Sequence, residues 1–193
     1  VNIYNAAALE TISGFGSLTS VGGACVINNN AALETISGFR NLINVRKSVG
    51  GSFDGMGVVV AQNPNLKEIS GFGNLKTVDG DFALDSSPLL TNASGLGNVE
   101  SVGGMLECVD TKLDKEGFAA LVTSLVTIGG DIFVYGNDGD DFDVPGKLDN
   151  WGANADRTLN SAKATEAQRP TNNFGGAGTP SATTALFTLP TYP

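Results

Sequence analysis

Two hydrophobic periods divide the first two thirds of this chain between them. Between residues 33 and 45 the apolar positions are Leu33, Ile36, Phe39, Leu42 and Val45, one residue in three. A step of three suits a tight, eclipsed winding in which each short edge turns one side chain inward. Elsewhere the step is two, at Cys25/Ile27, Val58/Val60, Phe82/Leu84, Leu106/Cys108 and Ile132/Val134. Alternation over so short a run predicts a β-strand with one face buried. Strands are expected at residues 1–3, 25–27, 58–60, 82–84, 106–108 and 132–134, forming one parallel sheet along the flank of a stack.

The pattern repeats. "LETISGF" stands at residues 9–15 and again at 33–39, followed by "LKEISGF" at 66–72 and "LTNASGL" at 90–96. The leading leucines, Leu9, Leu33, Leu66 and Leu90, advance by 24, 33 and 24 residues, and the closing valines Val21, Val45, Val78 and Val102 keep the same steps. A fifth unit runs from Leu113 to Val134. A period near 24 belongs to stacked repeat architectures, in which no coil buries its inner face alone but several together do. The fold class expected is therefore mainly β: a parallel β-solenoid of about six 24-residue coils over residues 1–144, followed by an extended arm over 145–193. Glycines recur at fixed phase before each strand (Gly23, Gly80, Gly104, Gly130) and before each Phe or Leu (Gly14, Gly38, Gly71, Gly95). Fixed phase means that each layer turns where a positive φ or a close backbone approach is needed.

Polar residues keep the same phase. Asn30, Asn63 and Asn137, with Ser87 and Thr111 in equivalent places, follow the strands. An amide there can bond backbone groups of its own turn and of the next layer, and an internal polar ladder is expected. Cys25 and Cys108 fall on inward strand positions three layers apart, or ~14 Å, whereas a disulfide needs Cα atoms within ~7 Å. Two buried free thiols are expected.

The departures from regularity are the places to look for function. The 33-residue step holds nine additional residues within "RKSVGGSFDGMGVVV" (46–60). "VGGSF" fits the turn-strand pattern, so the addition is expected to divide between a loop before Val49 and one around Asp54–Gly57. Arg46, Lys47 and Asp54 are the candidate binding-loop residues, with Arg40 close by. In the fifth unit "FAALVTSL" (118–125) holds four additional residues, enough for one helical turn. In the acidic run "YGNDGDDFDVPG" (135–146), Asn137, Asp141 and Asp143 are weak calcium candidates, since the EF-hand spacing fails and Leu148 takes the place of the bidentate Glu. "NAS" at 92–94 makes Asn92 a glycosylation candidate.

The run "VGGACVINNNAALETISGFRNL" resembles the repeats of receptor L-domain-like proteins, and "CVINNNAAL" resembles the strand segment of leucine-rich repeats. The resemblance covers about residues 1–140. It implies a right-handed solenoid in secreted proteins or ectodomains, used for binding or building, and it carries no universal functional residue.

Composition narrows the function. The net charge is −9, with 11 Lys+Arg against 20 Asp+Glu, and no basic cluster suits nucleic acid or an anionic membrane surface. The chain has no histidine, which removes the commonest general base and zinc ligand. The outward strand neighbours Asn2, Val26, Val59, Ala83, Glu107 and Phe133 place no carboxylate pair over a groove. No enzyme activity and no cofactor are expected, and no apolar run is long enough to span a bilayer.

At its start the chain already holds Val1 and Ile3 in strand phase, so the first coil is expected to present an uncapped face that upstream residues, another chain or the tail would cover. From Trp151 onward there is no Val or Ile, and Ala, Thr, Asn, Gly and Pro dominate. Phe187, Leu189 and Tyr192 near its end are expected to add to an edge on the same solenoid or a neighbour's. The leading expectation is a non-catalytic extracellular structural or assembly module, a subunit of a cell-surface filament, wall or appendage. It would associate with itself or with another extracellular protein through the first coil and the arm. The alternative is an adhesive or receptor-like ectodomain that binds peptide or glycan. A third is ice binding through the outward row Ser20, Asn44, Thr77, Ser101 and Thr127.

Overall fold

The computed structural model of the chain describes residues 1–130, 132–135 and 137. They wind through about five turns. The first coil holds β1 (Asn2–Tyr4), β2 (Thr11–Ile12) and β3 (Ser20–Val21), and the second β4 (Cys25–Asn28), β5 (Thr35–Ile36) and β6 (Asn44–Val45). The third holds β7 (Met56–Ala61), β8 (Glu68–Ile69) and β9 (Thr77–Val78). The fourth holds β10 (Asp81–Ser87) and β11 (Ser101–Val102). The fifth holds β12 (Leu106–Thr111), the helix α1 (Lys115–Leu121) and β13 (Thr127–Ile128), and β14 (Ile132–Tyr135) opens a sixth.

Three parallel sheets run up the stack. The main one has the order β1-β4-β7-β10-β12-β14. Its register pairs Cys25 with Val58, Val58 with Phe82, Phe82 with Leu106 and Leu106 with Ile132, as the alternating positions require. The single sheet expected from sequence is thus one of three. The step-of-three segments supply two-residue strands that form a five-stranded sheet (β3-β6-β9-β11-β13) and a three-stranded one (β2-β5-β8). The backbone forces this: at a layer spacing of about 4.8 Å each buried corner needs partners, and the layer below supplies them. Glu34 N–H donates to Glu10 C=O at 2.9 Å, and Lys67 N–H to Glu34 C=O at 2.9 Å.

The interior is one continuous apolar column containing Leu33, Ile36, Phe39, Leu42 and Val45 with their counterparts in the other coils. Phe15, Phe39 and Phe72 stack with ring centroids 4.7 and 4.8 Å apart and interplanar angles of 2° and 9°. The rings thus repeat at the strand spacing. In "SGF" the positive φ falls on the aromatic residue, 63° at Phe15 and 61° at Phe39, and not on the glycine before it. The glycine serves close approach: a Cβ on Gly38 would strike the carbonyl oxygen of Gly14, and one on Gly71 that of Gly38.

The expected polar ladder is present. Asn63 Oδ1 accepts from Asn30 N at 3.1 Å and Asn30 Nδ2 at 3.2 Å, and Asn63 Nδ2 donates to Ile27 O at 3.1 Å and Ala61 O at 2.9 Å. Farther up, Asn137 Oδ1 accepts from Thr111 N and Oγ1, and its Nδ2 donates to Cys108 O. A surface ladder runs beside it that the sequence did not announce. Asn41, Asn74 and Asn98, just before each unit's second Leu or Val, donate to Gly16, Arg40 and Gly73 carbonyls one layer away.

Cys25 and Cys108 are free, buried and three strands apart. Burial pushes the Cys25 thiol up to about 11 and the Cys108 thiol up to about 12, from an ordinary 9.0. The unfolded thiols ionise first, so the thiols' contribution to stability is whole below about pH 9 and is lost as pH rises toward the folded values. Native protein at pH 8 is expected to leave both thiols unreacted with Ellman's reagent, and both should react once urea unfolds it. Prompt reaction in the native state would contradict the burial.

The additional residues of the fifth unit make α1, as expected. Asp114 caps it, its Oδ1 accepting from Gly117 N at 2.8 Å, and the helix packs on the single 3₁₀ turn Ser94–Leu96 of the fourth coil.

Candidate functional site

Three surfaces stand out. The first is the face of coil 1 that turns away from coil 2. All three sheets end there, in β1, β2 and β3. Alternate residues of a parallel strand direct their backbone groups to opposite neighbours, so half of those in these strands point outward from the stack. Val1, Ile3, Leu9 and Leu18 are only partly buried against the core, and Phe15, the end ring of the stack, is 44% exposed. Among the described residues, Gly14 has no heavy atom within 4 Å of its would-be Cβ, unlike its counterparts Gly38, Gly71 and Gly95. Of the expected assembly residues, Val1 and Ile3 lie on this face, while Phe187, Leu189 and Tyr192 lie outside the described residues.

The second surface is the nine-residue insertion. It forms one loop, not the two expected. Ser48 N donates to Met56 O at 2.8 Å and Gly55 N to Ser48 O at 3.0 Å, which ties the loop off at its base. Gly51–Phe53 is a 3₁₀ turn, Val49 is 84% exposed, and the strand starts only at Met56. "VGGSF" is therefore not the turn-strand element, although it looks like one. The pairing of Cys25 with Val58 fixes where the strand must lie, and a motif that puts Phe53 in that place, five residues early, falls out of layer register. Asp54 spends its carboxylate on the loop itself, with Oδ1 accepting from Gly50 N at 2.8 Å. Arg40, Arg46 and Lys47 are exposed and make no ion pair among the described residues, whereas Lys67 and Lys76 pair with Glu34 and Glu100 of adjacent layers.

The third is the outer face of the main sheet. The alternating pattern predicts this face to be solvated, and the structure corrects that. Val26, Val59, Ala83, Glu107, Asp85 and Val109 are buried, and Phe133 nearly so. Ala24, Val26, Met56, Val59, Ala61 and Ala83 form a second apolar cluster, with Phe53 of the insertion packed against it. Asp85 escaped the sequence reading. It stands two residues beyond Ala83, which pairs with Glu107, so two buried carboxylates share this face on adjacent strands. Buried as they are, they line no open groove.

Of the other candidates, Asn137 takes part in the internal ladder, and Asp141 and Asp143 lie outside the described residues. No group of three or more metal-ligating side chains occurs among the described residues. Asn92 is exposed, not at a corner but bridging Glu68 where the three-stranded sheet ends, and its Oδ1 accepts from Ser94 N at 3.0 Å. The row Ser20, Asn44, Thr77, Ser101 and Thr127 does align on the five-stranded sheet, and Thr127 Oγ1 bonds Ser101 Oγ at 2.9 Å. No helix among the described residues is long and apolar enough to cross a membrane.

The geometry defines the class: a parallel β-solenoid repeat protein of about five turns. No protein-family profile, no curated protein and no solved structure matches the chain.

Proposed function

We propose that the chain is a non-catalytic structural module, a subunit of an extracellular filament, wall or appendage, that associates by seating another coil on the open face of coil 1. Gly14 is the observation that carries this reading. In coils 2 to 4 the glycine at this phase exists because the adjacent layer's backbone comes too close for a Cβ. Gly14 keeps the same residue where the described residues leave the space beside it empty. Together with three open sheet edges and an exposed ring at the end of the phenyl stack, it shapes coil 1 to receive a layer of the same geometry. The extracellular placement rests on the likeness of the repeats to receptor L-domains and leucine-rich repeats.

The test is Gly14→Val. The described residues leave room for the side chain, so the thermal midpoint should stay where it is. The seated layer has none, so light scattering should show the wild type's higher-order species reduced to monomer. A wild type that is monomeric at every accessible concentration would overturn the proposal.

A second reading, adhesion to an acidic peptide or glycan, is favoured by one observation. Arg40, Arg46 and Lys47 are three exposed cations without ion pairs among the described residues, beside an exposed Val49, in a chain of net charge −9. It expects Arg46→Glu with Lys47→Glu to abolish retention on a sulfated glycan resin and leave the association state unchanged. Retention equal to wild type would remove it.

A further inference from the structure

The asparagine at position 92 is not a product of the repeat. The residues that line up with it along the three-stranded sheet are Thr11, Thr35 and Glu68, one per coil, and Asn92 bridges to Glu68 in the fourth. Its backbone is held in the stack: its N–H donates to Lys67 O at 3.3 Å and its carbonyl accepts from Ile69 N at 2.7 Å. Ala93 is buried, whereas Asn92 and Ser94 on either side of it are exposed. The side-chain amide is divided in its use. Oδ1 accepts from Ser94 N at 3.0 Å, a bond that an aspartate would make equally well. Nδ2 bonds nothing among the described residues. Other surface asparagines differ: Asn41, Asn65, Asn74 and Asn98 each give Nδ2 to a carbonyl one layer away. The turn at Asn92 therefore uses the oxygen and leaves the nitrogen facing water.

We propose that Asn92 is a site of N-glycosylation. Asn92-Ala93-Ser94 is the only Asn-x-Ser/Thr triplet in the 193 residues, and its middle residue is not proline. The inference rests on the extracellular placement proposed above, since such triplets are modified in secreted chains. The step joins Asn92 Nδ2 to the anomeric carbon of an oligosaccharide carried on a lipid diphosphate. The C–N bond forms as the sugar–phosphate C–O bond breaks, the lipid diphosphate leaves, and one amide proton passes to a base on the transferase. A glycan is bulky and solubilising, so the fold must leave it room outside. It does so here. The three-stranded sheet ends at β8, and the fifth coil carries α1 in place of a further strand of that sheet. The sugar is then attached to the side of the column, whereas the face of coil 1 that receives a layer is at its end.

The tryptic peptide 77–112 of the full-length protein, purified from its own source, contains this triplet and no other. It should carry a hexosamine-containing mass increment, and peptide N-glycosidase should remove that increment and leave an aspartate at position 92. In a secreting eukaryotic host the wild type should run as a retarded species on a gel. Ser94→Ala should lose that species completely and Ser94→Thr should keep it. Neither variant disturbs the turn, whose bond uses the Ser94 backbone N–H. A bare peptide from protein found outside the cell would overturn this inference and leave the structural reading standing. A bare peptide from protein retained inside the cell would overturn both. A retarded species that survives Ser94→Ala would overturn the assignment to Asn92.

Discussion

Gly71→Ala should lower stability by about 3 kcal/mol, near the upper end for overpacking. A methyl group there would overlap the Gly38 carbonyl oxygen and stand 2.7 Å from Ser37 C and 2.8 Å from Gly38 N. All three atoms are backbone of the adjacent layer, so no rotamer change can relieve the contact. Relief requires the layers to part, which breaks the corner bond from Ser70 N to Ile36 O (2.9 Å) and loosens the Phe39–Phe72 stack. Gly73→Ala, two residues on, is the control. Nothing lies within 4 Å of its Cβ, and a stability change of no more than about 0.5 kcal/mol is expected. Urea midpoints of the two variants decide the matter. Equal midpoints would mean that the layers are not stacked as closely as described.

Asn63→Ala is the second large effect, at about 3–4 kcal/mol. Asn63 is fully buried, and its side chain makes four hydrogen bonds, three of which join the second and third coils. Truncation leaves the Asn30 backbone N–H without its acceptor and takes a donor from Ile27 C=O; Ala61 C=O keeps the N–H of Asn29 at 3.1 Å. Asn63→Asp probes the same site through pH. A carboxylate there would face the carbonyls of Ile27 and Ala61, so its pKa would be raised above the unfolded value. Its penalty should be smallest in acid and grow as pH rises through the carboxylate range. A variant that loses the same stability at pH 4 and pH 8 would show that the ladder is not sealed from water.

Much of this fold could be read from the residues because a solenoid writes its constraints once per layer. The main-sheet strands lie within a few residues of their expected places, since Cys25/Ile27 and their counterparts must point inward in every coil. The ladder and the free thiols come from the same register. What could not be read has physical causes. The two-residue strands of the smaller sheets are too short to alternate. "VGGSF" satisfied a local rule that a long-range pairing overruled. The outer face was misjudged because alternation treats every outward position as solvated. "GVVVA" at 57–61 is nonetheless a continuous apolar run, the mark of a strand covered on both sides. At the candidate site, Gly14 was visible as one glycine among several; only the empty space beside it sets it apart. Asp85 gave no signal, because a lone carboxylate reads as a surface charge until its burial is known.

The tied-off loop has a consequence for how such a chain can vary. Ser48 and Met56 close its base, so of residues 49–55 only Gly55 bonds the next coil, its carbonyl accepting from Asp81 N at 3.0 Å, and Cys25 meets Val58 as squarely as Phe82 meets Leu106. The circumference of the coil is thus indifferent to what is spliced in at that corner. It is a natural port for foreign peptide, where cargo of other lengths can be displayed without disturbing the pitch of the column.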